Sequence, residues 1–386
     1  MTDKRLAQLH DLGQSIWFDF IRRAFIQNGE LQDLVDQGVR GVTSNPSIFE
    51  KAIAGSADYD AALRPLVEAG KDVDEIYEAL ALADIQAAAD ILRPLFDQSA
   101  GRDGFVSLEV SPTLAHDTAN TISEARRLHA ALGRPNVMIK VPATAAGLPA
   151  VTALIGDGIS VNVTLIFSAA QYETVAEAYL AGLERLADRG GDLSRVASVA
   201  SFFVSRVDTA VDAELDRLGE RMLQGKIAIA NSKAAYARFQ ALFGGQRWAR
   251  LVAQGARVQR PLWASTGTKN PAYPDTLYVD ALIGPDTVNT VPPATLDAFL
   301  DHGRVAATLE QDLDEALADL DRLAELGIDL DAIAGQLLDD GVAAFAKSFE
   351  TLLASVAAKR AKLLAARPAL SASQGVFQPR ADAVPV

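Results

Sequence analysis

The sequence predicts an α/β fold, a (β/α)8 TIM barrel with extra N- and C-terminal helices. Three observations lead there. Eight short segments with strand-like patterning alternate with helical segments between residues 15 and 291. Most of them place aliphatic side chains on one face and polar or mixed ones on the other. Seven of the eight carry a polar residue near their C-terminal end, and a barrel gathers those ends at one mouth. A doubly wound open sheet is the competing arrangement. To bind a dinucleotide it needs a glycine-rich turn after its first strand, and Asp19-Phe20-Ile21-Arg22-Arg23 is nothing like one. No short repeat and no strong linker divides the chain. Residues 1–366 are therefore expected to form one domain, followed by a flexible tail over 367–386.

The elements follow in order. A short polar helix over 1–14 ends near Gly13, and Ser15–Ile21 alternates as the first strand, with Trp17 and Asp19 opposite Ile16, Phe18 and Phe20. A helix through 30–36 fits Gly38 as its C-cap. The second strand, 39–47, is stopped by Pro46, and helices are expected over 56–69 and 73–98. The third strand, 104–112, sets Ser107 and Glu109 against Val106, Leu108 and Val110, and a helix over 117–132 ends at Gly133. The fourth strand spans 136–144 and leads to a helix over 147–156. The fifth, 160–167, opposes Asn162 and Thr164 to Val161, Val163 and Leu165, before a helix over 169–188. The sixth, 196–203, feeds a helical region to 243. The seventh, 261–266, sets Trp263 and Ser265 opposite Leu262 and Ala264 and opens into a loop carrying Lys269. The eighth, 287–291, stops at Pro292-Pro293, and helices over 294–301, 304–326 and 340–366 close the fold.

Composition narrows the function. The chain has 386 residues, a formal net charge of -14 and a pI near 4.8, which argues against non-specific nucleic-acid binding. It has no cysteine, so thiol catalysis, disulfides and Cys-ligated metals are excluded. His10, His116, His129 and His302 are scattered without metal-ligand spacing, so no metal site is expected. The first residues have no apolar secretory core, and no uninterrupted apolar run approaches a membrane span. A cytoplasmic protein with no membrane partner is expected. Monomer and homodimer both remain open.

The fourth strand carries the most informative residue. Val137, Ile139 and Val141 share one face, and Met138 and Lys140 the other. An unpaired ammonium on an apolar strand costs several kcal/mol, so the group finds a partner or gives up its proton. A lysine that gives up its proton is a nucleophile able to form a Schiff base with a carbonyl substrate. The plainer reading is a lysine that caps a strand end and pairs with a carboxylate. Convergence of Asp19, Asn45, Glu109, Asn162, Thr164, Ser201 and Ser265 at the same mouth favours catalysis. A Schiff-base reaction needs an amine, groups that move protons, and a positioned water. Lys140 fits the amine, and Asp19 and Glu109 the proton transfers, directly or through water held by Thr164. Asn45 and Asn162 suit substrate hydroxyls. Arg206, Lys269 and Ser201 suit a phosphate.

The chain resembles the transaldolase family in its longer bacterial form. The resemblance rests on Gly41-Val42-Thr43-Ser44-Asn45-Pro46-Ser47, Leu108-Glu109-Val110-Ser111-Pro112 and Met138-Ile139-Lys140-Val141-Pro142-Ala143-Thr144. Asn162-Val163-Thr164-Leu165-Ile166-Phe167-Ser168 and Ser201-Phe202-Phe203-Val204-Ser205-Arg206 extend it. It implies an α/β barrel that moves a dihydroxyacetone unit from sedoheptulose 7-phosphate to glyceraldehyde 3-phosphate. The products would be erythrose 4-phosphate and fructose 6-phosphate, in the pentose phosphate pathway, without metal or organic cofactor. It implies that Lys140 is the Schiff-base lysine, Asp19 the acid/base, and Glu109 with Thr164 the pair holding the catalytic water. Asn45 and Asn162 match substrate contacts, and Ser201 and Arg206 phosphate contacts. Shorter members follow strand seven with Ser-Phe-Arg-Asn. Here Ser265-Thr266-Gly267-Thr268-Lys269-Asn270 stands instead, with Lys269 the candidate replacement for the arginine. Some long members carry a fused isomerase domain, and no second activity is expected here. The alternatives are a fructose 6-phosphate aldolase of the same barrel type and a non-catalytic sugar-phosphate-binding barrel.

Overall fold

The computed structural model describes residues 3–365, so the tail expected at 367–386 lies outside the described residues. Eight parallel strands close in the order β1 to β8, each beside its sequence neighbour, with β1 completing the ring against β8. This is the expected (β/α)8 barrel.

Helix α1 (Lys4–Asp11) is capped by the Asp3 carboxylate and leads to β1 (Gln14–Phe18). β1 ends three residues before the expected Ile21, which leaves Asp19 just beyond the strand. Its amide still donates to the Val291 carbonyl at 2.9 Å, so it sits in line with the barrel rim. A short unexpected helix, α2 (Arg23–Gln27), precedes α3 (Glu30–Gln37), which ends at Gly38 as expected.

The second strand is the largest departure. Only Gly41–Val42 are β2, and Asn45 opens a helix instead of ending a strand. That helix, α4 (Pro46–Ala54), has Asn45 as N-cap, whose Oδ1 accepts from the Ile48 amide at 3.0 Å, and proline at its first position. Proline that stops a strand is equally suited to starting a helix. β2 is short because β1 holds its neighbours directly: the Arg40 and Thr43 amides donate to Ile16 and Phe18 carbonyls. Gly41 is required there, since a Cβ would lie 2.6 Å from the Trp17 indole, which fills the barrel interior.

The helix expected over 56–69 is α5 (Asp60–Glu68), and α6 (Val73–Gln98) starts with a capping box between Asp72 and Glu75. β3 (Phe105–Glu109), α7 (Thr118–Leu132), β4 (Val137–Pro142), α8 (Gly147–Gly156), β5 (Val161–Ile166) and α9 (Ala169–Asp188) fall where the periodicity places them. β5 does not keep its alternation to the end. The pairing shifts register between Val163 and Ile166, and Leu165 adopts φ 62°, so it leaves the face shared by Val161 and Val163.

β6 (Ser198–Phe203) continues into α10 (Ser205–Leu218), and the remaining helical region divides into α11 (Ile227–Phe243) and α12 (Gln246–Val252). β7 (Gln259–Ala264) begins two residues earlier than expected. Arg260 lies inside the barrel, bonded to Asp103 at 3.0 Å and to Ser15, so a buried ion pair hid the strand start. α13 (Leu277–Ala281) precedes β8 (Thr287–Val291), followed by α14 (Pro293–His302) and α15 (Leu313–Glu325).

The last helix, α16 (Leu330–Ala365), begins ten residues earlier than expected and packs on α4, α5, α6, α10 and β5. By length and composition it could span a bilayer. Its apolar residues Phe345, Leu352 and Val356 are buried within the protein instead. Ser348 bonds Ser47 at 2.7 Å and Lys359 pairs with Asp60 at 2.7 Å, so α16 is tied across the C-terminal rim of the barrel.

Candidate active site

The rim encloses a cavity of about 180 Å3. Eight of the ten residues singled out from sequence line it: Asp19, Asn45, Lys140, Thr164, Ser201, Arg206, Ser265 and Lys269. The ends of six strands and the loops after them bring these residues together, which is what parallel closure does to strand C-termini.

Lys140 is 4% exposed and points inward from β4. Its Nζ lies 3.4 Å from Glu109 Oε2 and donates to the Ser44 carbonyl at 3.2 Å. The pairing register explains the first contact. Glu109 on β3 and Asn162 on β5 are the Cα partners of Lys140 on either side, so all three project into one layer of the barrel. The Phe345 ring of α16 stands 5.6 Å from Nζ and covers it from above.

Both carboxylates are held toward their neutral form by burial. Glu109 is 9% exposed; burial raises its pKa, and the Lys140 charge pulls it back. Asp19 is half-buried. Burial is again the larger cause of its raised pKa, opposed by a hydrogen bond from Thr43 and by the charges of Lys140, Arg206 and Lys269. Thr43 Oγ1 donates to Asp19 Oδ1 at 2.7 Å and meets Thr290 Oγ1 at 2.7 Å, which orients the carboxylate across β1, β2 and β8. Glu109 Oε2 and Thr164 Oγ1 are buried without a hydrogen-bond partner among the described residues. Buried polar atoms of this kind usually have a partner, so both are suited to hold water or substrate.

Glu109 and Asn162 do not line the rim cavity. Glu109 forms a wall of an adjoining cavity, described below. Asn162 is fully buried beneath the rim. It donates to Ser107 Oγ at 3.1 Å and accepts from Ser201 Oγ at 2.7 Å, so it fixes the hydroxyl of Ser201. Ser265 reaches the rim only because the chain turns at φ 56° immediately after β7, off the Trp263 face, to meet Ser205 Oγ at 2.9 Å. Arg206 sits in the first turn of α10, its guanidinium 5.1 Å from the Phe203 ring, and burial lowers its pKa against the pull of Asp19. With Lys269, exposed on the loop after β7, it gives one side of the cavity two cations and a helix N-terminus.

Thr43, Ser47, Thr290 and Phe345 also line the cavity and were not singled out from sequence. The threonines were legible as polar positions at strand ends, but Ser and Thr at strand ends are common. Phe345 sits in a helix remote in sequence, and no local pattern marks it. Among the described residues no group of three or more His, Asp or Glu side chains is placed to hold a metal.

Comparison with known proteins identifies the family. The family model described as transaldolase/fructose-6-phosphate aldolase matches residues 16–356. Transaldolase 2 of Nostoc punctiforme is 48% identical over 376 residues, covering 92% of this chain and 97% of that protein. Transaldolase 1 of Streptomyces avermitilis is 51% identical over 361 residues, covering 92% and 96%. The transaldolase of Acidothermus cellulolyticus is 52% identical over 360 residues, with the same 92% and 96%. A buried lysine paired with Glu109, with Asp19 lining the same rim cavity, and relatedness along nearly its whole length agree: the chain belongs to the transaldolase/fructose-6-phosphate aldolase family.

Proposed function

We propose that the protein is a transaldolase acting through a Schiff base on Lys140. The observation that carries this is the contact between Lys140 Nζ and Glu109, inside a rim that also presents Asp19. The names of the relatives, all transaldolases at about half identity, favour transfer to an aldehyde over release of free dihydroxyacetone.

The geometry suggests how the work is divided. The Lys140 amine adds to the C2 carbonyl of a ketose phosphate, and the carbinolamine loses water to an iminium. Asp19 takes the proton from the C4 hydroxyl. The C3–C4 bond breaks, its electron pair moves to the iminium, and an enamine remains on Lys140 as the aldose leaves. The enamine then attacks the acceptor aldehyde, whose oxygen recovers the proton from Asp19. Glu109 and Thr164 hold the water that leaves when the iminium forms and returns to hydrolyse it, which the oxygens left without a hydrogen bond suit. Thr43 and Thr290 aim Asp19. Asn45 binds substrate hydroxyls, and Asn162 acts by holding Ser201. Arg206, Lys269, Ser201 and Ser265 bind the phosphate. Sedoheptulose 7-phosphate and glyceraldehyde 3-phosphate are the substrates, and the bacterial cytoplasm, where sugar phosphates are made, is the place of action.

Borohydride reduction in the presence of fructose 6-phosphate, followed by peptide mapping, tests this. The adduct is expected on the peptide containing Lys140 and is expected to disappear when erythrose 4-phosphate is added first. An adduct that water alone discharges as fast would point to the aldolase. No adduct, or one at another lysine, would defeat the Schiff-base reading.

A further inference from the structure

Asn45 lines two cavities, the rim cavity and a second beside it, and Glu109 lines the second. The second, of about 410 Å3, lies beside the rim between α4, α6, α7 and α16, and is of the size that small-molecule sites have. Glu109 and Leu108 form its inner end. Phe49, Tyr77 and Phe349 form its sides, with Phe49 and Tyr77 ring centroids 6.2 Å apart and Tyr77 and Phe349 5.3 Å apart, both edge to face. Asp74, Glu78 and Glu350 stand at its edge, Glu350 3.5 Å from the exposed Lys347 and Glu78 paired with Arg127, so carboxylates still outnumber cations there. Arg127 is the one cation among the residues that line it, and its guanidinium is taken up by Glu78 and Glu124.

These features select a ligand class. Aromatic rings offer their negative faces to cations and their bulk to a flat apolar body. The acidic edge adds a field of the same sign. At the inner end, Glu109 Oε2 is ion-paired with Lys140 Nζ at 3.4 Å but buried without a hydrogen bond among the described residues, which leaves it capacity to accept an N–H. Sugar phosphates are excluded by the same charges. The rim cavity is the reverse, with Lys140, Arg206 and Lys269 lining it, so an organic cation has little reason to enter there.

The geometry points to the cavity between α4, α6 and α16 as a second ligand site, one that takes a small organic cation with an aromatic or aliphatic body and acts on turnover through Glu109. A cation seated there shares the carboxylate with Lys140 and draws it off the water it is proposed to hold. Its effect falls on kcat, because the substrate cavity stays open. The coupling rests on the proposed role of Glu109. Binding does not.

The probes are benzamidine, protonated at neutral pH, with N–H donors and too weak a nucleophile in that form to compete for the ketose, and benzamide, its neutral isostere. Calorimetry on the full-length protein is expected to show benzamidine binding in the millimolar range and benzamide about tenfold weaker or worse. Kinetics with fructose 6-phosphate and erythrose 4-phosphate are expected to show kcat falling with KM unchanged. Leu353→Trp, which fills the cavity from α16, is expected to abolish binding and keep uninhibited turnover. Glu350→Lys, exposed at the edge and no threat to folding, is expected to weaken binding about threefold. Equal binding of the two probes, no binding, binding undiminished in both variants, or purely competitive inhibition would overturn the site. Should the chain show no transaldolase turnover, the calorimetric arms still decide binding, so the two failures are distinguishable.

Discussion

Glu109 Oε2 and Lys140 Nζ stand 3.4 Å apart on neighbouring strands whose Cα positions are paired, and both side chains are more than nine-tenths buried. A buried ion pair is weak evidence for stability, because desolvation of two charges offsets most of their attraction. Here the pair leaves Glu109 Oε2 short of a hydrogen bond, an arrangement that serves chemistry better than stability. Lys140→Arg and Lys140→Met separate charge from nucleophilicity. Both are expected to abolish turnover and the borohydride adduct, although arginine keeps a cation beside Glu109. Turnover retained by the arginine variant would mean that Lys140 acts only as a charge.

Glu109→Gln keeps the shape of the side chain and removes its capacity as a base. If Glu109 moves protons through water, kcat is expected to fall about a hundredfold or more, with little change in KM. The adduct is then expected to accumulate, because its hydrolysis is slowed. A variant with normal kcat would reduce Glu109 to a counter-ion for Lys140.

Thr43→Val removes the hydroxyl that donates to Asp19 at 2.7 Å. That bond stabilises the ionised carboxylate and lowers its pKa against the raising effect of burial. A base must be ionised to accept a proton, so activity falls as pH drops through the Asp19 pKa. Without Thr43 that pKa rises, and the acid limb of the kcat profile is expected to move to higher pH. A loss of about tenfold near neutral pH is expected as well. An acid limb left in place would show that another group controls it.

How far the sequence shows all this depends on where the information is local. The barrel was legible because strands and helices carry different apolar periods, and Lys140 because a charge on an apolar strand is conspicuous. β8 was found residue for residue, since Pro292 marks its end. The second strand was not, because Pro46 both ends extended chain and begins a helix, and only the contacts of Asn45 decide between them. Arg260 concealed the start of β7, since a buried arginine reads as a surface residue until its Asp103 partner is known. Ser265 reached the rim by a backbone turn that no alternation predicts. Phe345 comes over Lys140 only because α16 crosses the rim, a tertiary fact with no local signature.

The two phosphate candidates are expected to differ in weight. Arg206 is half-buried in the first turn of α10 and held against Phe203, whereas Lys269 is exposed on its loop. A desolvated, preorganised guanidinium is worth more than a solvated ammonium. Arg206→Gln is expected to raise KM for phosphorylated substrates about thirtyfold or more. Lys269→Gln is expected to raise it about threefold, an effect that added salt erases. Neither is expected to change KM for unphosphorylated glyceraldehyde as acceptor. Equal losses with phosphorylated and unphosphorylated acceptors would mean that these residues shape the rim and do not bind phosphate.

Two residues beyond Arg206, Asp208 joins α10 to α11 and α13. It is 1% exposed, accepting from the Ala228 amide at 2.7 Å and from the Tyr278 hydroxyl at 2.8 Å. Burial pushes its pKa up to about 6 from 3.8, with Asp212 adding to the rise and the two hydrogen bonds opposing it. A carboxyl with a raised folded pKa binds its proton more tightly folded than unfolded. Its favourable contribution is complete below the unfolded value and is lost as pH rises through about 6. The difference is about 3 kcal/mol. Asp208→Asn does not titrate, and its amide oxygen still accepts from Ala228. The unfolding free energy of the parent minus that of the variant is therefore expected to fall by about this amount between pH 4 and 7, read from urea melts at each pH. A difference that stays level across this range would show that Asp208 ionises without cost, and that water, not burial, surrounds it.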